Sequence, residues 1–157
     1  MTKQETAKIQ QFADLVGDFI RYWGFRKIHG EIWTVVYLSS HPMSGTEIVE
    51  LLKVSKALVS PALKELEAEG LIFQTESENS KTKRYSAPEN INKIIQNVLR
   101  RREKPMMKKI VTSYEELVDH VSDKIEIDQS RLHRLGKMIS TAQMGLLLLA
   151  ETDQFWN

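Results

Sequence analysis

Apolar residues recur along this chain in two different rhythms, and the rhythms divide it into elements. Ile9, Phe12, Ala13, Val16, Phe19 and Ile20 return every three or four positions, which predicts an amphipathic helix over roughly residues 4–22 with Gly24 as its stop. Ile32, Trp33, Val36, Tyr37 and Leu38 predict a second helix from about residue 30, ended by the Ser39-Ser40-His41-Pro42 break. Ser44 followed three residues later by Glu47 has the form of a capping box, and Ile48, Leu51 and Leu52 give the short third helix its buried stripe. After Lys53-Val54, Ser55 caps a fourth helix with Val59, Ala62, Leu63 and Leu66 on one side, and Gly70 ends it. The rhythm then changes: a strand begins at Leu71-Ile72-Phe73, residues 76–80 form a polar turn, and residues 82–86 return as a second strand. Helices over about 89–103, 106–125 and 128–152 fill the remainder, with breaks near Pro105 and Asp128.

Within the fourth helix, Pro61 leaves two readings open. The helix starts after Ser55 and is kinked between Ser60 and Pro61, where the missing amide costs ~3 kcal/mol in a helix interior. Alternatively regular helix begins only at Pro61, with Ser60 as N-cap and proline at its favoured first position. The quality of Ser55 as a cap, and the place of Val59 in the buried stripe, favour the kinked single helix.

Two short helices joined by a tight turn and followed by a two-stranded hairpin make a winged helix-turn-helix, a unit that sets its second helix in a DNA major groove and its hairpin near the adjacent backbone. The fold class expected is therefore mainly α, a winged helix-turn-helix with a small β-hairpin wing and a C-terminal helical dimerisation region. Residues 1–88 would be the DNA-binding domain with its N-terminal helix, and residues 89–157 the helical dimerisation region. Residues 30–72 add a resemblance in Ile32-Trp33, Leu38-Ser39, Pro42, Glu47-Ile48, Val54-Ser55-Lys56, Val59-Ser60, Ala62-Leu63, Glu65-Leu66-Glu67 and Gly70-Leu71-Ile72. In these positions the chain resembles the GbsR-like branch of the MarR-like transcriptional regulators. The resemblance, about 60 residues with the hairpin included, implies a cytoplasmic, dimeric DNA-binding regulator whose terminal helices pair, most simply a repressor.

Net charge, +1 over 157 residues, decides nothing about nucleic acid by itself. Its distribution does: residues 1–52 carry five basic and six acidic groups, residues 53–109 thirteen and seven, residues 110–157 four and eight, so the middle third alone is basic. On the fourth helix, the face opposite Val59 and Leu63 holds Ala57, Ser60, Pro61 and Lys64 with Lys56 at its edge. Lys56, Ser60 and Lys64 are candidates for phosphate or base-edge contacts, and Ala57 and Pro61 for packing on a thymine methyl. Ser44, Thr46 and Ser55 join them at the helix starts, and Lys81, Lys83 and Arg84 in the hairpin, where Glu76 and Glu78 reduce the net charge to +1. This face is poor in donors, so backbone contacts and DNA shape are expected to supply much of the affinity. The blander alternative is that the serines are caps and the lysines solvated. The densest cluster, Arg100, Arg101, Arg102, Lys104, Lys108 and Lys109, is +5 once Glu103 is counted, and reads either as a phosphate contact or as a solvated helix end.

Absence of cysteine removes disulfides and thiolate metal sites from consideration. His29, His41, His120 and His133 have no metal-ligand spacing, and His120 beside Asp119 and Asp123 reads as a helix surface residue. Glu65, Glu67 and Glu69 read as a solvated helix end, no catalytic motif occurs, and neither a cofactor nor an enzymatic activity is expected. The N-terminal ten residues hold no apolar stretch of the kind a signal peptide needs, and the uncharged run 138–150 is too short to span a bilayer. Some regulators of the branch that the chain resembles look like sensors of choline or related osmolytes, which allows a small-molecule effector here without naming one. Tyr22, Trp23, Phe25, Trp33 and Tyr37 are the candidates for an aromatic cage around such an effector. The helical spacing of Trp33 and Tyr37 favours the core for those two. The apolar residues Ile110, Val111, Leu117, Val118, Val121, Ile125, Leu132, Leu135, Ile139 and those at 146–149 exceed one small core and predict a homodimer. The competing function is a winged-helix protein–protein module, which the near-neutral net charge favours.

Overall fold

The structure, a computed structural model, describes residues 1–76, 81–120 and 126–153. It divides into two compact units, residues 1–89 and 90–157. Among the described residues no helix is long and apolar enough to cross a membrane.

The first unit opens with α1, Lys3–Ile20, capped by a box in which the Thr2 hydroxyl accepts the Glu5 amide and the Glu5 carboxylate accepts the Thr2 amide. A 3₁₀ turn over Arg21–Trp23 leads to Gly24, whose φ of 80° is the left-handed conformation that ends the pattern there. Next comes α2, Lys27–Leu38, three residues earlier than periodicity predicts. The cause is a cap outside the usual serine, threonine, aspartate and asparagine set: the His29 ring accepts the Arg26 backbone amide at 3.0 Å.

α1 and α2 cross at a pair of glycines. A Cβ on Gly30 would lie 2.7 Å from Gly17 Cα, and one on Gly17 would lie 2.7 Å from the Lys27 carbonyl. Lys27 adds ion pairs to Asp14 at 2.5 Å and Asp18 at 3.2 Å beside the crossing.

A two-residue strand β1, Met43–Ser44, runs directly into α3, Gly45–Leu52, and the expected Ser44–Glu47 capping box is present. Lys53 then takes φ 55°, a left-handed turn residue in a position glycine would fill more cheaply. Ser55 caps α4, Lys56–Ala68, by accepting the Leu58 amide at 3.2 Å. This helix is single and contains Pro61, which answers the choice left by the sequence: regular helix does not wait for Pro61. At its far end Gly70 N–H donates to the Glu67 carbonyl and Leu71 N–H to the Leu66 carbonyl, a Schellman closure with Gly70 at φ 72°.

That closure delays the following strand. β2 is Phe73–Thr75 and β3 is Arg84–Ser86, each shorter than predicted, and they pair antiparallel with Gln74 opposite Tyr85. β1 adds itself on the other side of β3, Met43 opposite Tyr85, so the sheet order is β1-β3-β2. A two-residue strand carries no alternation to read, which is why the sequence shows only the hairpin. The predicted turn lies mostly at 77–80, outside the described residues. Ile32, Ile48, Val59, Ala62, Leu66 and Ile72, each at most 1% exposed, form the centre of the core.

In the second unit Asn90 caps α5, Ile91–Val98, and α6 is Lys104–His120. The predicted break near Pro105 does not occur. Instead Leu99–Glu103 forms a π-helical turn, with the Lys104 amide reaching back five residues to the Leu99 carbonyl, and helix continues through Pro105. The wider turn gives the proline ring room where an α-helical carbonyl would clash. The remainder of the predicted sixth helix, with Val121, Asp123 and Ile125, lies outside the described residues. α7, Gln129–Glu151, starts at Asp128, whose carboxylate accepts the Arg131 amide. Tyr114 packs on Gly136 and donates to the Leu132 carbonyl at 2.9 Å, joining α6 to α7. Buried Gln96 holds the end of α7, donating to the Thr152 carbonyl and the Asp153 carboxylate, both at 3.1 Å.

Candidate nucleic-acid interface

α4 sorts its side chains by physics alone. Val59, Ala62, Leu63 and Leu66 are buried against the rest of the first unit. At 100° per residue, Lys56, Ser60, Lys64, Ala57 and Pro61 fall within roughly 140° of arc on the other side, and all five are exposed. The result is a shallow strip with a lysine near each end and small side chains between them. Pro61 has no amide to give the Ala57 carbonyl, so this exposed face also holds a main-chain acceptor without its usual helical partner.

Around the strip, Thr46 is exposed on the first turn of α3, and Ser55 is exposed with its oxygen already accepting the Leu58 amide. Lys81 and Lys83 are exposed just before β3. Two of the predicted residues stand apart from this group. Ser44 is buried, 6% exposed, and its hydroxyl serves the α3 cap. Arg84 is half-buried and turned inward, donating at 2.8 Å to the Glu47 carboxylate and at 3.1 Å to the Pro42 carbonyl. Its charge holds the wing to α3. Glu78 lies outside the described residues.

Glu47 is the joint of this region. Hydrogen bonding from the Ser44 backbone amide is the main cause that brings its carboxyl down to about 2; burial opposes, and the Ser44 hydroxyl, the Arg84 charge and His41 assist. A carboxyl acidified by folding contributes stability that is complete above its unfolded value near 4.5 and disappears as the pH falls toward 2. Glu47→Gln is therefore expected to lower Tm at pH 7, with the gap to the wild type closing between pH 4.5 and pH 2. Melts across that window check it, and a gap independent of pH would remove the charge from the explanation.

Glu65 and Glu67 correct the reading of a solvated helix end. Both Glu65 oxygens accept from Arg26 Nη2, at 3.0 and 2.9 Å, and one also meets His29 Nε2 at 2.5 Å. Glu67 accepts from Gln74 of β2 at 3.1 Å. In the second unit, Arg100 and Lys104 pair with Glu151 at 3.4 and 3.1 Å, so that part of the basic cluster is engaged by the end of α7.

The predicted aromatic cage is not assembled. Tyr22 is 92% exposed, Trp23 packs against Phe19 with ring centroids 6.3 Å apart, and Phe25 meets the His29 ring edge-on at 6.0 Å. Trp33 and Tyr37 stack on each other at 4.9 Å, too close to admit a cation between their faces, and Trp33 packs against the core as its spacing implied.

No curated protein matches the chain. Among solved structures, the fold is similar to that of a transcriptional regulator 13% identical to this chain, with 88% of this chain and 92% of that one covered at a TM-score of 0.52. Also similar are a transcriptional regulator from Thermotoga maritima (21% identity, 91% and 94% covered, TM-score 0.43) and a MarR transcriptional regulator from Methanosarcina mazei Go1 (18%, 92% and 96%, 0.41). The model of the MarR family matches residues 30–81, the span that holds most of α2 together with β1, α3, α4 and β2, and over these residues the chain is similar to that family.

Proposed function

We propose that the chain is a cytoplasmic, homodimeric, sequence-specific DNA-binding transcriptional regulator, acting as a repressor and belonging to the GbsR-like branch of its family. Residues 1–88 bind DNA and residues 89–157 pair two copies. The observation that carries this reading is the exposed strip on α4: two lysines flanking small side chains, on the second helix of a helix-turn-helix, opposite a buried apolar stripe. Such a strip fits a major groove closely while its cations reach phosphates. The branch is supported by the residue pattern over 30–72, and release by a small-molecule effector belongs to the reading through that resemblance alone.

Retardation of sheared genomic DNA at low salt tests it directly. A protein–protein module, the competing reading, leaves that DNA unshifted, and such a result rejects the proposal.

Pairing is supported by apolar side chains that each unit leaves in solvent: Phe12, Leu15 and Phe19 on α1 of the first, and Met106, Ile110, Leu117, Leu135 and Met138 on α6 and α7 of the second. A shallow, mainly apolar groove lined by Ile110, Tyr114, Leu117, Leu135 and Ile139 lies among those of the second unit. Monomeric proteins rarely leave so many large apolar side chains in solvent. Light scattering at micromolar concentration is expected to give about twice the 18.2 kDa chain mass; the monomer mass would end this part of the reading.

A further inference from the structure

We infer that Arg26, His29 and Glu65 form a positioning clamp that fixes the rotation of α4 about its own axis, and so sets how well the exposed strip discriminates between DNA sequences. The inference rests on the DNA-binding reading above.

The chemistry of the clamp is determined at each atom. His29 Nδ1 accepts the Arg26 backbone amide at 3.0 Å, so the ring hydrogen sits on Nε2 and is donated to Glu65. The ring is buried, 6% exposed, and Phe25 stands edge-on against it, so its orientation is set before Glu65 arrives. The Arg26 side chain then closes over the same carboxylate through both oxygens. Three contacts thus converge on one side chain of α4, and all come from the N-cap and first turn of α2, 36 to 39 residues away in sequence. Charge-assisted contacts of this kind are directional, whereas the apolar stripe beside them tolerates small rotations.

Position makes the clamp matter. Glu65 lies at the border between the exposed strip and the buried stripe, next to Lys64 and one turn after Pro61. Pro61 removes one main-chain hydrogen bond from the middle of α4, so the half of the helix that follows gains from an anchor outside itself. Neither Arg26 nor His29 belongs to the strip, and the clamp acts on DNA only through the angle at which α4 is held.

The sign of one substitution separates this role from simple charge. Removing a carboxylate beside Lys64 lessens repulsion of phosphate and would tighten binding to any DNA. Loss of the clamp weakens binding to a preferred sequence while leaving random DNA little changed. The probes are a genomic fragment selected by the wild-type protein and a random-sequence duplex, and the readout is the ratio of the two affinities. Glu65→Ala is expected to lower that ratio at least tenfold. Glu65→Gln, which keeps an oxygen for the His29 and Arg26 donors, is expected to stay within threefold of the wild type. Arg26→Met, a change at an exposed residue, should lower the ratio about fivefold and serves if Glu65→Ala does not fold, as a thermal melt will show. An unchanged ratio in Arg26→Met and in folded Glu65→Ala, or equal effects of the Ala and Gln variants, overturns the clamp. If the wild type retards no DNA at all, the functional reading has failed and the clamp with it; a discriminating wild type with an indifferent Glu65→Ala rejects the clamp alone.

Discussion

Gly30→Val is expected to destabilise the first unit by about 3 kcal/mol, the upper end of what overfilling a close-packed contact costs. Even a single methyl at this position would stand 2.7 Å from Gly17 Cα and 2.9 Å from two atoms of Ile20. The nearest obstacle is backbone, which cannot rotate away, so α1 and α2 must separate. Separation would also stretch the Lys27 ion pairs to Asp14 and Asp18 and open the core around Ala13 and Ile28. Urea denaturation should show the midpoint falling by 1 M or more, about what 3 kcal/mol implies at usual m-values, with the slope unchanged. Gly45→Ala is the control. Its new methyl meets only Leu63 Cδ1 at an ordinary 3.6 Å, and it should stay within about 0.5 kcal/mol of the wild type. Equal behaviour of the two variants would show that the crossing is not set by its glycines.

The second large effect concerns DNA. Replacing Lys56 and Lys64 together by alanine is expected to flatten the log–log dependence of affinity on salt by about 2, near 0.9 for each phosphate left without its lysine. At about 0.1 M salt that corresponds to roughly a hundredfold weaker binding. Anisotropy titrations of a selected genomic fragment over a range of salt concentrations measure both numbers at once. Both lysines are exposed and have no part in the buried stripe of α4, so the variant should melt with the wild type. If affinity and slope both survive, the strip is not what meets the polyanion.

Local signals in the sequence were sufficient wherever the deciding contact is local. Ser44 with Glu47, Ser55 with Leu58, Asp128 with Arg131 and the stop at Gly70 all act within five residues, and the helices they bound stand where the pattern placed them. Distance in sequence explains the rest. The start of α2 depends on a His29 ring orientation shared with Glu65, and β1 exists only because Tyr85 and Arg84 come back to pair with Met43 and Ser44. Pro105 predicts a helix break that the fold does not make, because a π turn is not encoded in any periodicity. The site follows the same division. The exposed strip of α4 was legible, since burial of Val59 and Leu66 dictates what faces outward. Ser44 and Arg84 were not, because a capping hydroxyl and an inward arginine look like solvent-facing polar residues until Glu47 is placed beside them. Arg26 and Glu65 carried no signal at all within their own windows.

The π turn at Leu99–Glu103 has a consequence for how the second unit tolerates change in length. Such a turn holds one residue more than the α-helix around it needs, and each residue of α-helix advances the side chains by 100°. Deleting a single residue there would let the helix run as uninterrupted α-helix from Ile91 onward with Tyr114 still facing its seat on Gly136, because five residues of π turn rotate the chain about as far as four of α-helix. The surplus amino acid is thus absorbed where it stands, and a chain shortened by it would present the same stripe to its neighbours while setting Pro105 in an unrelieved α-helix.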